Sequence, residues 1–209
     1  MALNKFKKIG ESTKTTFKTQ LIKDLKSEDL KLVKKALTKV KDKGNEKHIV
    51  PLIHLFENTT DENIKNEIKS ILSQLKNTKS IGELMPFLEK ENNITKELVL
   101  HSLWSSGFDL THHIPLIVET ACNGDFMVLL EALTLIENLE GPFIEDDLFL
   151  ATSIINEKIN DCKDESMLNL LNSLLILSII KTPSFFIERI PGTFSMRKYL
   201  GLRICKISK

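Results

Sequence analysis

The chain has 209 residues, 42% of them hydrophobic and 27% charged, with eight glycines, six prolines and a net charge of +1. It is long enough to bury a continuous core, and too apolar for disorder to describe most of it. Cys122, Cys162 and Cys205 are odd in number, widely spaced and free of any C-x-x-C pattern. That argues against a disulfide framework or a thiolate metal site and fits a reducing, cytoplasmic setting.

The segment from Met1 to Lys8 is basic like a signal-peptide flank, but Gly10, Glu11, Ser12, Thr13 and Lys14 stand where an apolar run should follow. No export signal is expected. Leu3, Phe6 and Ile9 among Lys5, Lys7 and Lys8 form a small amphipathic face, sufficient only for marginal association with a membrane surface. From Ser12 to Lys26, Phe17, Leu21 and Leu25 line one side of a predicted helix. Residues 1–26 are read as a basic N-terminal cap.

Residues 27–180 are self-similar. Val33, Ile68, Val99 and Leu129 each lie four residues before Leu37, Leu72, Leu103 and Leu133, and Val40, Leu75, Ser106 and Ile136 follow three residues later. Spacings of three and four place each set on one helical stripe. Ala36, Ile71, Ser102 and Ala132, mostly small, precede the middle column, as expected where one helix must approach another closely. After each helix comes a proline with apolar neighbours: Pro51, Pro86, Pro115 and Pro142. Because the first turn of a helix does not use the N–H that proline lacks, these prolines predict the start of a second helix in each unit. The column leucines are spaced 35, 31 and 30 residues apart, which suits a helical hairpin per repeat. No stretch alternates with period two, so no strands are expected.

This pattern, over Ser27 to Ile159, resembles HEAT-like repeats with an apolar first helix and a proline-led second one. The resemblance implies an all-α protein, an α-solenoid of about four to five stacked antiparallel hairpins with atypical capping ends. For function it implies protein–protein recognition most often and nucleic-acid binding occasionally, as in HEAT-like DNA glycosylases.

Beyond Glu145, a helix carrying Leu148, Ile155 and Ile159 is expected to pair with Met167 to Ile180, a run apolar on almost every side but too short to span a bilayer of about 20 helical residues. Such a helix needs cover on two faces. Residues 181–209, the remaining segment, are the expected cover. There Thr182, Pro183 and Ser184 favour a turn, Phe185, Phe186, Ile187 and Ile190 supply apolar surface, and Arg189, Arg197 and Arg203 are placed to reach Glu145, Asp146 and Asp147.

No nucleophile motif, phosphate-binding glycine loop or two-histidine zinc pattern is present, so neither catalysis nor a cofactor is expected. His112 and His113, with His101 and Cys122, are candidate metal ligands only on paper. Neighbours on a helix point about 100° apart, which favours solvent-facing or turn-capping histidines. Trp104 and Phe108 have two readings: a binding hot spot, or rings filling space left by Ser106 and Gly107.

Charge is distributed in three blocks. Residues 1–80 hold 18 lysines against 10 acids, residues 81–180 hold 4 against 17, and residues 181–209 hold 7 basic residues against 1 acid. These are solvated faces, or the last block docks on an acidic surface. The acidic middle interrupts any basic stripe along DNA and makes nucleic acid an unlikely partner. The expected function is a non-catalytic scaffold that presents Glu83, Glu89, Glu119, Glu145, Asp146 and Asp147 to a basic or amphipathic protein segment. A nucleic-acid-binding HEAT-like protein and a membrane-surface adaptor are the alternatives, and self-association is compatible with the leading one.

Overall fold

The structure, a computed structural model, describes residues 19–181. The expectations placed on Leu3, Phe6, Ile9 and Phe17, and on the aromatic and basic residues of 182–209, lie outside the described residues. Within them the chain is all-helical, with ten α-helices and no strand. Residues 19–25 form α1, and Leu30–Lys43, Ile49–Asn58, Glu62–Leu72 and Lys79–Leu84 form α2 to α5. Asn93–Ser105, Ile114–Cys122, Phe126–Asn138, Glu145–Asp161 and Glu165–Lys181 form α6 to α10. No helix among the described residues is long and apolar enough to cross a membrane.

The described residues divide into two compact units, 19–90 with 101–108, and 91–100 with 109–181. In the first, Leu21 and Leu25 of α1 are buried, α2 packs on α4, and α3 packs on both α4 and α5. In the second, α7 packs on α8 and α9, while α10 packs on α8 and α9. Within each unit, helices therefore pack on the helix two places further along as well as on a sequence neighbour.

Every second helix starts on an Asp or Asn side chain that accepts first-turn N–H groups, donors that have no partner inside the helix. Asp29 accepts from Lys31 at 2.8 Å, Asp61 from Asn63 at 2.9 Å, and Asn92 from Ile94 at 3.1 Å. Asp125 accepts from Met127 and Val128, each at 3.1 Å, and Asp164 from Met167 at 2.8 Å. Counting from these caps places Ala36, Ile68, Val99, Ala132 and Leu171 seven residues on, and Val40, Leu72, Leu103, Ile136 and Leu175 eleven residues on. All ten are buried. Seven and eleven residues are close to two and three helical turns, so both columns share one face.

The cap-aligned repeat corrects the leucine columns in two units. In α2 the matching pair is Ala36 and Val40, one turn beyond Val33 and Leu37. In α8 it is Ala132 and Ile136, so Leu133, expected in the core, is only half-buried. Leu75 and Ser106 are likewise half-buried. The prolines need a similar correction. Pro51 and Pro115 lie in the first turns of α3 and α7, but Pro86 falls in a 3-10 turn, Met85–Phe87, after α5, and Pro142 lies in the link before α9.

Hairpin pairing is also offset from the sequence units. Three-residue links, 59–61, 123–125 and 162–164, join α3 to α4, α7 to α8 and α9 to α10, all closely packed pairs. Links inside the sequence units are longer, five residues from α2 to α3 and eight from α6 to α7. A Cβ at Gly124, in the second of the short links, would run into the Val128 side chain, so this reversal needs glycine. As expected, α10 pairs with α9; it also packs on α8, and Leu171, Leu174, Leu175 and Ile179 are buried.

The two alignments make different predictions for α8. Ile136→Ala should cost about 2–5 kcal/mol and Leu133→Ala about 1 kcal/mol, measured by urea denaturation. Equal losses would restore the leucine column. Leu72→Ala, buried in both alignments, should match Ile136→Ala.

Candidate functional site

The residues singled out from sequence divide between the two units. Trp104, Phe108, Glu83 and Glu89 belong to the first; Glu119, Glu145, Asp146 and Asp147 belong to the second.

Trp104 is half-buried on α6 and meets the His101 ring edge-to-face, with centroids 5.1 Å apart and planes at 82°. Phe108 is buried. The Ser106 hydroxyl donates to the Leu72 carbonyl at 3.2 Å, which satisfies one of the end-of-helix acceptors of α4. Gly107 has φ +67° and open space where a Cβ would stand, so it serves the left-handed turn that ends α6.

Among the acids, Glu83 is half-buried on α5, while Glu89 is exposed after the 3-10 turn, beside Lys90, whose Nζ sits 3.9 Å from the Phe87 ring centroid. Glu119 is exposed on α7. Glu145, Asp146 and Asp147 occupy the first turn of α9, whose N-cap residue, Ile144, makes no side-chain cap hydrogen bond. Their charge complements the positive end of the helix dipole and stands in for the missing cap. Asp146 alone of the three is fully exposed.

The other titratable groups act structurally. Asp109 accepts from the Thr111 N–H at 3.1 Å and from its hydroxyl at 2.8 Å. These bonds hold its carboxyl below the ordinary range. They also fix the 3-10 turn Thr111–His113, which carries exposed His112 and half-buried His113. Burial lowers the pKa of Lys181, whose Nζ donates to the Leu139 carbonyl at 2.6 Å and ties the end of α10 to the end of α8. His48 is buried, and its Nδ1 lies 3.1 Å from the Asn45 backbone nitrogen. Among the described residues no three His, Cys, Asp or Glu side chains group as metal ligands would.

Two open grooves indent the first unit. One, of about 510 Å³, is walled by Leu25, Leu30, Val33, Pro51, Leu55 and Ile64. The other, of about 420 Å³, runs past His48, Ser80, Gln74 and Lys76. The second unit presents exposed apolar side chains on helix surfaces, Phe126 and Met127 on α8 and Phe149 and Leu150 on α9, as the first does with Leu30 and Leu32 on α2. This pair on α9 was missed from sequence because Leu148 and Ile155 mark the same helix as core, and a run of apolar residues does not say which of them stays outside.

No protein-family model, curated protein or solved structure matches the chain.

Trp104→Ala should lower the melting temperature more than it weakens partner capture, because the ring is half-buried against His101. A variant that melts like the parent yet loses its partner would make α6 the binding centre. The cysteines allow a second check. Burial pushes the Cys122 thiol up to about 11, with Lys158 opposing it, whereas Cys162 is half-exposed. Since the thiolate is the nucleophile, iodoacetamide at about pH 8.5, near the ordinary thiol pKa, should label Cys162 and spare Cys122 until the chain is unfolded. Mass spectrometry of the alkylated peptides reads this directly.

Proposed function

We propose that the chain is a non-catalytic protein-interaction scaffold of HEAT-like type, its helical pairs stacked as an α-solenoid. The observation that carries the reading is the five-fold recurrence of a capped helix with buried residues seven and eleven positions on, combined with packing onto the helix two places along in each unit. A repeat of this kind spends one face of each helix on its neighbours and leaves the opposite face for recognition. The partner contributes a basic or amphipathic segment, since residues 81–180 hold 17 acids against 4 lysines. Complementary charge then raises the rate of encounter and rejects acidic competitors.

The full chain, immobilised, should retain protein from a lysate of its native source in a salt-sensitive way, and retain neither duplex DNA nor anionic vesicles under the same conditions. Preferential retention of DNA or vesicles would replace the scaffold with a nucleic-acid-binding or membrane-surface reading.

A further inference from the structure

Helix α9 has two faces of different chemistry. Leu148, Ala151, Thr152 and Ile155 are buried, and α9 packs on α7 and α10. Asp146, Phe149, Leu150, Ser153, Glu157 and Asp161 are exposed on one broad face, about 120° wide, with Phe149 and Leu150 about 100° apart toward its two sides. Phe149 is 45% exposed and Leu150 49%. Two large apolar side chains thus stand in water on this face, with carboxylates before and after them along a helix of 17 residues, about 25 Å long.

Nothing among the described residues requires this arrangement. The first-turn acids complement the helix dipole, but Glu157 and Asp161 lie near its negative end, where acids are unfavourable. Phe149 and Leu150 gain nothing from exposure. A second copy of the chain is a poor occupant, because pairing face to face would bring acids against acids. An amphipathic helix with an apolar stripe flanked by lysine or arginine satisfies both the rings and the carboxylates.

We propose that the exposed face of α9 is a docking surface for a basic amphipathic helix of a partner protein, with Phe149 and Leu150 as apolar anchors and Asp146, Glu157 and Asp161 as charged contacts. This rests on the scaffold reading and assigns it a face. The apolar anchors supply most of the affinity, and the carboxylates supply orientation and salt dependence.

Fluorescence anisotropy on the full chain tests it with a labelled leucine–lysine peptide of about 18 residues, its leucines on one helical stripe. That peptide should bind about tenfold more tightly than a scrambled peptide of the same composition, and than a leucine–glutamate peptide with the same stripe. Phe149→Ser with Leu150→Ser should abolish the preference without changing the far-UV circular dichroism or the melting temperature. Asp146→Asn with Glu157→Gln should weaken binding and flatten its salt dependence, and decides the matter should the first variant fail to fold. Equal binding of the scrambled peptide, or unchanged affinity in either folded variant, overturns the assignment to α9. Lysate capture by the full chain, unaltered in those variants, would leave the scaffold reading standing. A photo-crosslinker at position 149 that joins a second copy, or residues 182–209, in preference to the added peptide would also overturn the external partner.

Discussion

The hydrogen bond from a first-turn N–H to an Asp or Asn side chain recurs at the head of α2, α4, α6, α8 and α10, and most of the described fold is organised around it. A helix leaves its first N–H groups without internal acceptors, and a side-chain cap satisfies some of them for about 1 kcal/mol. More important than that energy is the phase it sets. Once the cap defines where a helix begins, the residues seven and eleven positions on must point the same way, and those positions form the buried seam. Three caps, Asp61, Asp125 and Asp164, also close three-residue links, so one side chain ends the reversal and starts the next helix. At Asp61 partial desolvation opposes ionisation, but the N–H groups of Asn63 and Ile64 and the charge of Lys34 outweigh it and keep the carboxyl below its ordinary range. The cap therefore stays charged, and keeps its acceptor strength, until the pH falls below the unfolded carboxylate value of about 4.

Of the intervening helices, α3, α7 and α9 start differently. Short 3-10 turns precede α3 and α7, prolines sit in their first turns, and neither these helices nor α9 has a side-chain cap. At α9 three acids take that place. This division changes the meaning of the acidic residues. Glu145, Asp146 and Asp147 are partly accounted for by their own helix, whereas Glu157 and Asp161 at its far end have no such reason to be there. The two grooves of the first unit are open, and Phe126, Met127, Phe149 and Leu150 of the second are exposed on helix exteriors.

Helices and their apolar faces were legible in the sequence because a period of 3.6 is local, written within a dozen residues. The repeat was legible too, but its phase was misassigned. Leucine is conspicuous and was used to align the units, while the aspartates and Asn92 that set the phase look like ordinary polar residues in links. Spacings of 32, 31, 33 and 39 between Asp29, Asp61, Asn92, Asp125 and Asp164 were available to reading. They would have placed Ile136 inward and Leu133 toward the edge.

What the sequence by itself determined is the helical class, the breaks between helices and the block pattern of charge, because propensity, proline and charge act over a few residues. Only the tertiary structure decided which helices pair most closely, that α10 packs on α8 as well as on α9, and which apolar residues of α9 remain in water. Leu148 and Leu150 are the same residue type two positions apart, yet one is fully buried and the other half exposed. The difference is set by α7 and α10 approaching α9 from one side, and burial is a property of those neighbours' atoms rather than of the leucine itself.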